Sequence, residues 1–263
     1  MEVVDDSTAS KGSRVVLPVV FNANGPQVLI FSVEDIKTLR NKYNILGVLI
    51  GTLAHYPQQN LFLSVPLRLS IWEVVWLIES NVGVLVDYKS YRKSLTNIGK
   101  DCAEPCNSSS NLVTTDNETV NHDLQLISQY KVDLIDFIAQ HLQKSKSTLN
   151  EFLKNYHSYK FLKNQGFFIS PGLKFGGELV IYPDDPLKYH SYAIVKFNLF
   201  NVNDLIVGGR LASGVKKTIL LLEDKDENMV SQTQALKVNE DYVSLLFNKK
   251  SKLAFSIEWA GFG

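Results

Sequence analysis

Three side chains in the second half of the chain are of the types that cleave phosphodiesters by acid–base chemistry: Tyr182, His190 and Lys217. One of the first two can remove a proton from a nucleophile, and the other can protonate the leaving oxygen. The ammonium can stabilise the charge that builds on a pentacoordinate phosphate. Such a set needs no metal when the nucleophile is the 2′-hydroxyl of RNA itself. From type and spacing alone, a packed tyrosine and a surface or core histidine are the commoner explanation of these residues.

The predicted elements around these residues are suited to bring them together. Tyr182 ends a predicted strand, and the loop after it has Pro183 and Pro186 at its corners. Because proline fixes φ and cannot donate to a strand ladder, this stretch is predicted to be a turn between strands. Lys217 begins another predicted strand after a glycine-containing turn, and Lys216 beside it would face the opposite side of that strand.

Charge is distributed unevenly along the chain, although the formal net charge is zero. Residues 144–217 carry 11 basic and 5 acidic side chains, whereas residues 101–143 carry 1 basic and 7 acidic side chains. A basic segment around the candidate site suits a polyanionic substrate. Solvated lysines on helix faces would give the same count, so charge alone does not choose between these explanations.

Length and composition describe an ordinary globular chain. Its 263 residues, 45% hydrophobic and 21% charged, leave room for two small domains. The patterns predict an α/β fold, with a small N-terminal α/β module at 27–92. A strand-rich, nuclease-like α/β module that begins with helices is predicted at 125–263. Residues 1–26 are predicted to be an N-terminal extension, and residues 93–124, rich in Ser, Asn and Thr, a flexible linker.

Capping residues and hydrophobic periodicity give the individual elements. Ser32 is a good N-cap for the helix that follows it. The predicted helices span residues 33–42, 67–79, 124–142, 147–164 and 205–210. The predicted strands span residues 28–31, 44–53, 60–66, 82–86, 167–170, 177–182, 192–198, 217–223, 243–247 and 253–259.

The segment around the three candidate residues closely resembles the catalytic core of the tRNA-splicing endonuclease family. That family's signature runs through a Phe-Gly-Gly segment, a Tyr-Pro-Gly-Asp-Pro loop, a histidine, and a Gly-Arg-Leu turn that leads to a lysine. The matching residues here are, in order, Phe175-Gly176-Gly177, Tyr182-Pro183, Asp185-Pro186, His190, Gly209-Arg210-Leu211 and Lys217. Residues 58–69 (QQNLFLSVPLRL) and 256–263 (SIEWAGFG) narrow the resemblance to the eukaryotic subunit that cuts at the 3′ splice site.

Three places depart from the family signature, and none of them is a candidate catalytic position. Asp184 stands where glycine is usual, and Ala212 replaces the glycine after Gly-Arg-Leu. Lys188-Tyr189 replaces the commoner Arg-Phe and preserves charge and aromaticity. Non-catalytic paralogues in the family keep the fold and lose the catalytic residues, so the intact set implies an active subunit.

The resemblance implies that Tyr182 is the general base at the 2′-hydroxyl, His190 the general acid and Lys217 the transition-state cation. A free phenol has a pKa near 10, so a phenol acting as a base needs a neighbouring cation to favour the phenolate. An imidazole, with a reference pKa near 6.5, suits the acid role. No metal or cofactor is implied. Cys102 and Cys106 are accompanied by no second pair, so a zinc site is not predicted.

The resemblance also implies an RNA-binding pair, Arg210 and Trp259, that sandwiches a flipped-out base at the splice site. Base–aromatic stacking and cation–π contact supply about 1–3 kcal/mol per base. In the eukaryotic complex this pair is expected to serve the neighbouring subunit's active site. From the residues alone, Trp259 is equally well explained as a core residue at a sheet edge.

The implied substrate is an intron-containing pre-tRNA rather than DNA. The implied protein partners are one small structural subunit and a second catalytic subunit with its own structural partner, which together form a heterotetramer. The expected location is the nucleus or, alternatively, the cytosolic face of the mitochondrial outer membrane. No apolar run reaches the roughly 20 residues of a membrane span, so no transmembrane segment is expected. The apolar strand at 253–260 is suited to pair with the sheet edge of another chain.

Two other classes of function stay open at this point. The chain would be a scaffold subunit if it supported assembly without cutting. A metal-dependent restriction-type nuclease is suggested by Pro183-Asp184 followed by Glu223-Asp224-Lys225, whose carboxylates would hold magnesium at the scissile phosphate. The same acidic run is also typical of a solvated turn between strands.

Overall fold

The computed structural model describes residues 14–52, 63–93, 127–197, 201–224 and 252–258. The predicted linker (apart from residue 93), the predicted strand at 243–247, Cys102, Cys106 and Trp259 lie outside these residues. The strands are β1 Val15–Asn22, β2 Gly25–Ile30, β3 Val48–Thr52, β4 Leu63–Leu69, β5 Gly83–Asp87, β6 Phe168–Pro171, β7 Leu179–Tyr182, β8 Ala193–Lys196, β9 Thr218–Asp224 and β10 Lys252–Ile257. The helices are α1 Val33–Tyr43, α2 Ile71–Glu79, α3 Leu134–Ser145, α4 Leu149–Asn164 and α5 Val202–Gly214, and residues 88–93 are also helical.

The first sheet has the strand order β3-β4-β2-β1-β5, in which only β1 and β5 are parallel. Strand β1 lies inside this sheet, so the prediction that residues 1–26 form an extension is wrong from residue 15 onward. Val15, Leu17 and Val19 are buried and alternate with half-buried residues, the pattern of a strand with one face in the core. The parallel partner β5 is remote in sequence. The dipeptide Asn24-Gly25 at the β1–β2 turn is a recognised hairpin signal.

Each of the five labelled helices begins at a polar side chain that accepts a backbone N–H, and these caps correct the predicted boundaries. The predicted helix 67–79 starts too early, because residues 67–69 belong to β4 and Ser70 caps α2 in a reciprocal capping box with Glu73. The helix predicted at 124–142 is α3, which starts after Asp133. The helix predicted at 205–210 is longer at both ends, because Asn201 caps α5.

Helix α3 lies against the first sheet, although the prediction grouped it with the C-terminal module. The chain just before α3 pairs with β5, where Val132 N donates to Leu85 O at 2.9 Å. Phe137 and Ile138 of α3 are buried in a continuous core that also takes side chains from both sheets. The two modules therefore share one hydrophobic core.

Helices α2 and α4 meet across the seam between the two modules through polar groups as well as apolar ones. Tyr156 Oη and Lys160 Nζ of α4 both bind the carboxylate of Glu79, which lies at the end of α2. Burial and the Glu79 carboxylate together raise the pKa of Tyr156 well above its usual range, so the phenol donates its proton to this bond. The seam is thus a packed, hydrogen-bonded interface.

The second sheet has the order β10-β9-β8-β7-β6, in which only β8 and β9 are parallel. One face joins the shared core through residues such as Leu179, Ile181 and Val195. The other face packs on α5, where Ile194 and Ile219 contact Ala212. An α/β class with a strand-rich C-terminal half is confirmed.

None of the helices in the part of the chain that the structure describes combines the length and apolarity needed to cross a membrane.

Candidate active site

Strand register brings two of the three candidate residues to the same end of the strands in the second sheet. Ile181 of β7 pairs with Ala193 of β8, and Ala193 pairs in turn with Thr218 of β9. Tyr182 follows Ile181, and Lys217 precedes Thr218, so both lie at the same end of β7 and β9, the two neighbours of β8. With neighbouring strands about 4.8 Å apart, their backbones are roughly 10 Å apart across β8.

Alternation along the strands places Tyr182 and Lys217 on the same face. Ile194 and Ile219 are paired in register and belong to the small core cluster beneath α5. Val180 pairs with Ile194, and Tyr182 lies two residues beyond it on β7. Lys217 lies two residues before Ile219. Because side chains alternate with a period of two, both candidate residues project toward the α5 side.

The C-terminus of α5 sets the position of Lys217. Lys217 N donates to Ala212 O at 2.9 Å, and Lys216 N donates to Ser213 O at 3.0 Å. Lys216 has φ 52°, in the left-handed region. These two hydrogen bonds and the left-handed residue form a Schellman motif, which ends α5. Strand β9 begins at Thr218, directly after Lys217. The conformation of Lys216 therefore delivers Lys217 to the sheet edge.

The Lys217 ammonium is held by a carbonyl and an aromatic ring. Nζ donates to Ser191 O at 2.8 Å and lies 5.2 Å from the centre of the Phe175 ring. Partial burial lowers the pKa of Lys217, because desolvation penalises the charged form. The signal for Phe175 was present in the Phe-Gly-Gly segment, but sequence reasoning gave the ring no role.

Glycine in that segment is explained by close approach. A Cβ at Gly177 would lie 2.4 Å from Ile194 Cγ2 and 2.8 Å from Val195 O. Gly176 has φ 73°, and a Cβ there would lie 3.0 Å from Leu211 of α5. The segment is therefore pressed between β8 and α5, which brings the Phe175 ring to the lysine.

His190 lies in the loop between β7 and β8, exposed to solvent. The residue after it, Ser191, is buried and provides the carbonyl that binds Lys217. His190 is therefore one peptide away from the carbonyl that binds the Lys217 ammonium. The His190 imidazole is exposed, so a substrate can reach it from solvent.

Arg210, one of the two predicted RNA-binding residues, lies on the exposed side of α5. Gly209 and Ala212 are buried beneath the same helix turn, and Ala212 packs on the sheet where the family usually has glycine. Trp259, the second predicted RNA-binding residue, lies outside the described residues.

The residues of the alternative magnesium site lie at opposite ends of the sheet. Asp184 follows the C-terminal end of β7, beside the start of β9 at Thr218. Glu223 lies near the other end of β9, about 17 Å along the strand at roughly 3.4 Å per residue. Its carboxylate pairs instead with Lys154 at 2.9 Å. These two carboxylates are too far apart to hold one metal ion, which contradicts the alternative of a restriction-type nuclease.

Comparison with protein families assigns both halves of the chain. The family model described as TSEN34-like, N-terminal domain matches residues 19–88. The family model described as tRNA intron endonuclease, catalytic C-terminal domain matches residues 152–231. The second match includes Tyr182, His190 and Lys217. The chain therefore carries the catalytic domain of an endonuclease.

Individual relatives agree with this assignment. The chain is 31% identical to the probable tRNA-splicing endonuclease subunit sen34 of Schizosaccharomyces pombe, over 89% of this chain and 95% of that protein. It is 27% identical to the tRNA-splicing endonuclease subunit SEN34 of Saccharomyces cerevisiae, over 89% and 99%. A tRNA-splicing endonuclease of Pyrobaculum arsenaticum is 31% identical over 30% of this chain and 46% of its own length. The chain belongs to the SEN34 family of tRNA-splicing endonuclease subunits.

Proposed function

We propose that this chain is the catalytic subunit that cuts intron-containing pre-tRNA at the 3′ splice site. The observation that carries the proposal is the bond from Lys217 Nζ to Ser191 O, which holds a cation one peptide from His190. Tyr182 lies on the same face, two strands away. A base, an acid and a cation are therefore available around one phosphate at the sheet edge.

In the proposed reaction, the 2′-oxygen forms a bond to phosphorus while the bond between phosphorus and the 5′-oxygen breaks. Tyr182, as the phenolate, takes the proton of the 2′-hydroxyl. His190, as the imidazolium, gives a proton to the departing 5′-oxygen. The products are a 2′,3′-cyclic phosphate and a 5′-hydroxyl, and exchange with water restores both protonation states.

Lys217 stabilises the negative charge that develops on the phosphate oxygens in this scheme. Its ammonium is already oriented by Ser191 O and the Phe175 ring, so little reorganisation is needed when the charge appears. No step in the reaction requires a metal ion or an organic cofactor. Cleavage should therefore persist in excess EDTA, whereas a magnesium-dependent nuclease would stop.

The base-sandwich role of Arg210 and Trp259 is part of the same proposal. Arg210 is presented on the outer side of α5, seven residues before Lys217. A guanidinium there can stack on a base that leaves the RNA helix, with Trp259 on the other side of that base. We assign this pair to the site of the neighbouring catalytic subunit, as the family resemblance implies.

Assembly with other subunits is proposed to use β10. This strand pairs with β9 alone among the described strands, and Leu253 and Phe255 on it are 41% and 50% exposed. An edge strand with exposed apolar side chains is suited to pair with another chain. We propose one small structural subunit as its direct partner, within a heterotetramer that holds a second catalytic subunit and its structural partner.

Substitution of His190 tests the catalytic role against the scaffold alternative. In the assembled complex, His190→Ala should slow 3′-site cutting by about 10²–10⁴, the usual cost of losing an acid–base group. Cutting at the 5′ site by the other catalytic subunit should persist. The same substitution at His141, half-buried on α3, is the control and should leave both rates unchanged.

A scaffold subunit would behave differently in this experiment. The His190→Ala complex would then cut at both sites at the normal rate. A fall of less than tenfold at the 3′ site would also contradict the assignment of His190 as the acid. Equal loss at both sites, together with weaker assembly, would show that His190 has a structural role.

A further inference from the structure

Helix α1 of the first module reaches the catalytic loop of the second. Arg40 Nη2 lies 2.5 Å from Asp185 Oδ1, and the two side chains are 28% and 25% exposed. The residues are 145 positions apart in sequence. The contact therefore joins the two modules at the loop between Tyr182 and His190.

Asp185 closes a turn within that loop. Its Oδ1 atom accepts the backbone N–H of Leu187 at 2.9 Å, and its carbonyl oxygen accepts those of Lys188 and Tyr189 at 2.8 and 3.0 Å. The backbone N–H of Leu187, and then Arg40, lower the pKa of the Asp185 carboxyl, so it stays ionised. The turn that these bonds close ends one residue before His190.

His190 therefore lies between two anchors of different origin. On its N-terminal side, the turn at Asp185 is tied to Arg40 of α1. On its C-terminal side, Ser191 is buried, and its carbonyl binds Lys217. The backbone of His190 is therefore held on both sides, while its imidazole is exposed.

Arg40 comes from a helix end that is itself docked on the second module. Asn44, the left-handed residue that caps the C-terminus of α1, donates from Nδ2 to Gly166 O at 3.1 Å, just before β6. Lys163 Nζ of α4 donates to Asn44 O at 2.7 Å. The C-terminal end of α1 therefore contacts the catalytic module at two points, Arg40 and its C-cap residue Asn44. This distinguishes the pair from an isolated ion pair between two mobile surface side chains.

We propose that Arg40 is a positioning residue, which fixes the direction of His190 by holding the Asp185 turn from the other module. The inference rests on the proposed function, in which His190 is the general acid at the 3′ splice site. The N-terminal module then contributes to cleavage as well as to the core. Misplacing a catalytic group by about 1 Å costs up to about 10²-fold in rate, so loss of the contact should be visible in kinetics.

The test uses single-turnover cleavage of pre-tRNA by the complete complex, with the 5′-site cut as an internal standard. Arg40→Ala should lower the maximal rate at the 3′ site by about tenfold without changing the pre-tRNA concentration needed for half-saturation. Arg40→Lys keeps the charge and should restore part of the rate. Lys37→Ala removes an exposed cation from the same helix and should have no effect.

A double substitution identifies the pathway of the effect. Asp185→Asn keeps an oxygen for the Leu187 N–H and weakens the ionic contact, so the Arg40→Ala/Asp185→Asn pair should lose no more rate than the worse single variant. Additive losses would overturn the proposal. So would a normal 3′ rate in Arg40→Ala, or a loss shared equally by both cuts. If His190→Ala cuts at the normal 3′ rate, the proposed function itself is contradicted. If His190→Ala is impaired while Arg40→Ala cuts at the normal 3′ rate, only the positioning role of Arg40 is contradicted.

Discussion

Two lysines in different regions of the molecule have similar immediate surroundings and different consequences. In the seam between the modules, Lys163 Nζ donates to Asn44 O at 2.7 Å and lies 5.2 Å from the centre of the Trp76 ring. At the sheet edge, Lys217 Nζ donates to Ser191 O at 2.8 Å and lies 5.2 Å from the Phe175 ring. In each case a carbonyl and an aromatic face hold the ammonium.

The difference lies in the third neighbour. Lys163 is buried, and the carboxylate of Glu73 opposes the desolvation that lowers its pKa to about 8. At Lys217, desolvation is the cause of the lowered pKa, and this lysine is only half-buried, at the start of β9. A lysine closed off by protein groups contributes to the interface. A lysine that keeps one side open can bind a phosphate.

Removing the positive charge of Lys217 should have the largest effect on cleavage. Lys217→Met should lower single-turnover 3′ cleavage by about 10²–10³, the scale of losing one preorganised electrostatic group. Lys217→Arg keeps a cation and should recover part of the rate. Cleavage at the 5′ site in the same complex reports whether assembly is intact.

Thermal unfolding separates the two kinds of loss at Lys217. Its bond to Ser191 O is one neutral-acceptor hydrogen bond at a part-exposed site, so Lys217→Met should cost only about 1 kcal/mol in the free energy of unfolding. If Lys217→Met instead unfolds the chain, and Lys217→Arg cuts no faster than Lys217→Met, then Lys217 has a structural role like that of Lys163. The comparison would then not hold.

The seam lysine should show its effect in stability against pH. Burial depresses the pKa of Lys163 to about 8, against about 10.4 in an unfolded chain. Between these values the unfolded state binds more protons, so the free energy of unfolding should rise with pH. The rise between pH 8 and 9.5 should be about 1.5 kcal/mol, measured by urea denaturation.

Lys163→Met is the control for this rise, because it removes the titrating group and keeps much of the side-chain volume. Most of that rise of about 1.5 kcal/mol between pH 8 and 9.5 should disappear in Lys163→Met. Lys217 has a pKa shifted in the same direction, so the difference between wild type and Lys163→Met is the quantity to compare. An unchanged slope would show that Lys163 keeps an ordinary pKa, and the two lysines would then differ less than proposed.

Local signals in the sequence predicted the elements better than their partners. Ser32 was identified as the cap of α1, and the strands that end at Tyr182 and begin near Lys217 were placed within two residues. Strand β1 was missed although its hairpin partner β2 follows directly; the pairing that places β1 inside the sheet is with β5, more than 60 residues away. Helix α3 was assigned to the wrong module for a similar reason. No local pattern states which sheet an amphipathic helix covers.

The candidate site was predicted through a family resemblance, not through spacing. Tyr182, His190 and Lys217 are typical residues at unremarkable separations, and only the register of β7, β8 and β9 explains why two of them share an edge. The contacts that hold the site were not predictable in the same way. Arg40 lies in another module, and Ser191 contributes a carbonyl, which every residue has.

The smallest effect is expected at Lys216, the residue before Lys217. Lys216 has φ 52°, which costs an L-residue about 1–2 kcal/mol and costs glycine almost nothing. After the greater backbone entropy that glycine loses, Lys216→Gly should raise the free energy of unfolding by about 0.5–1 kcal/mol and Tm by about 2–3 °C. Ser213→Gly, inside α5, should lower both. Because the Schellman turn is kept, the 3′ cleavage rate should stay within about twofold. A Lys216→Gly variant that is more stable but cuts more slowly would show that Lys216 also contacts the RNA. Lys216 and Lys217 would then both take part in cleavage.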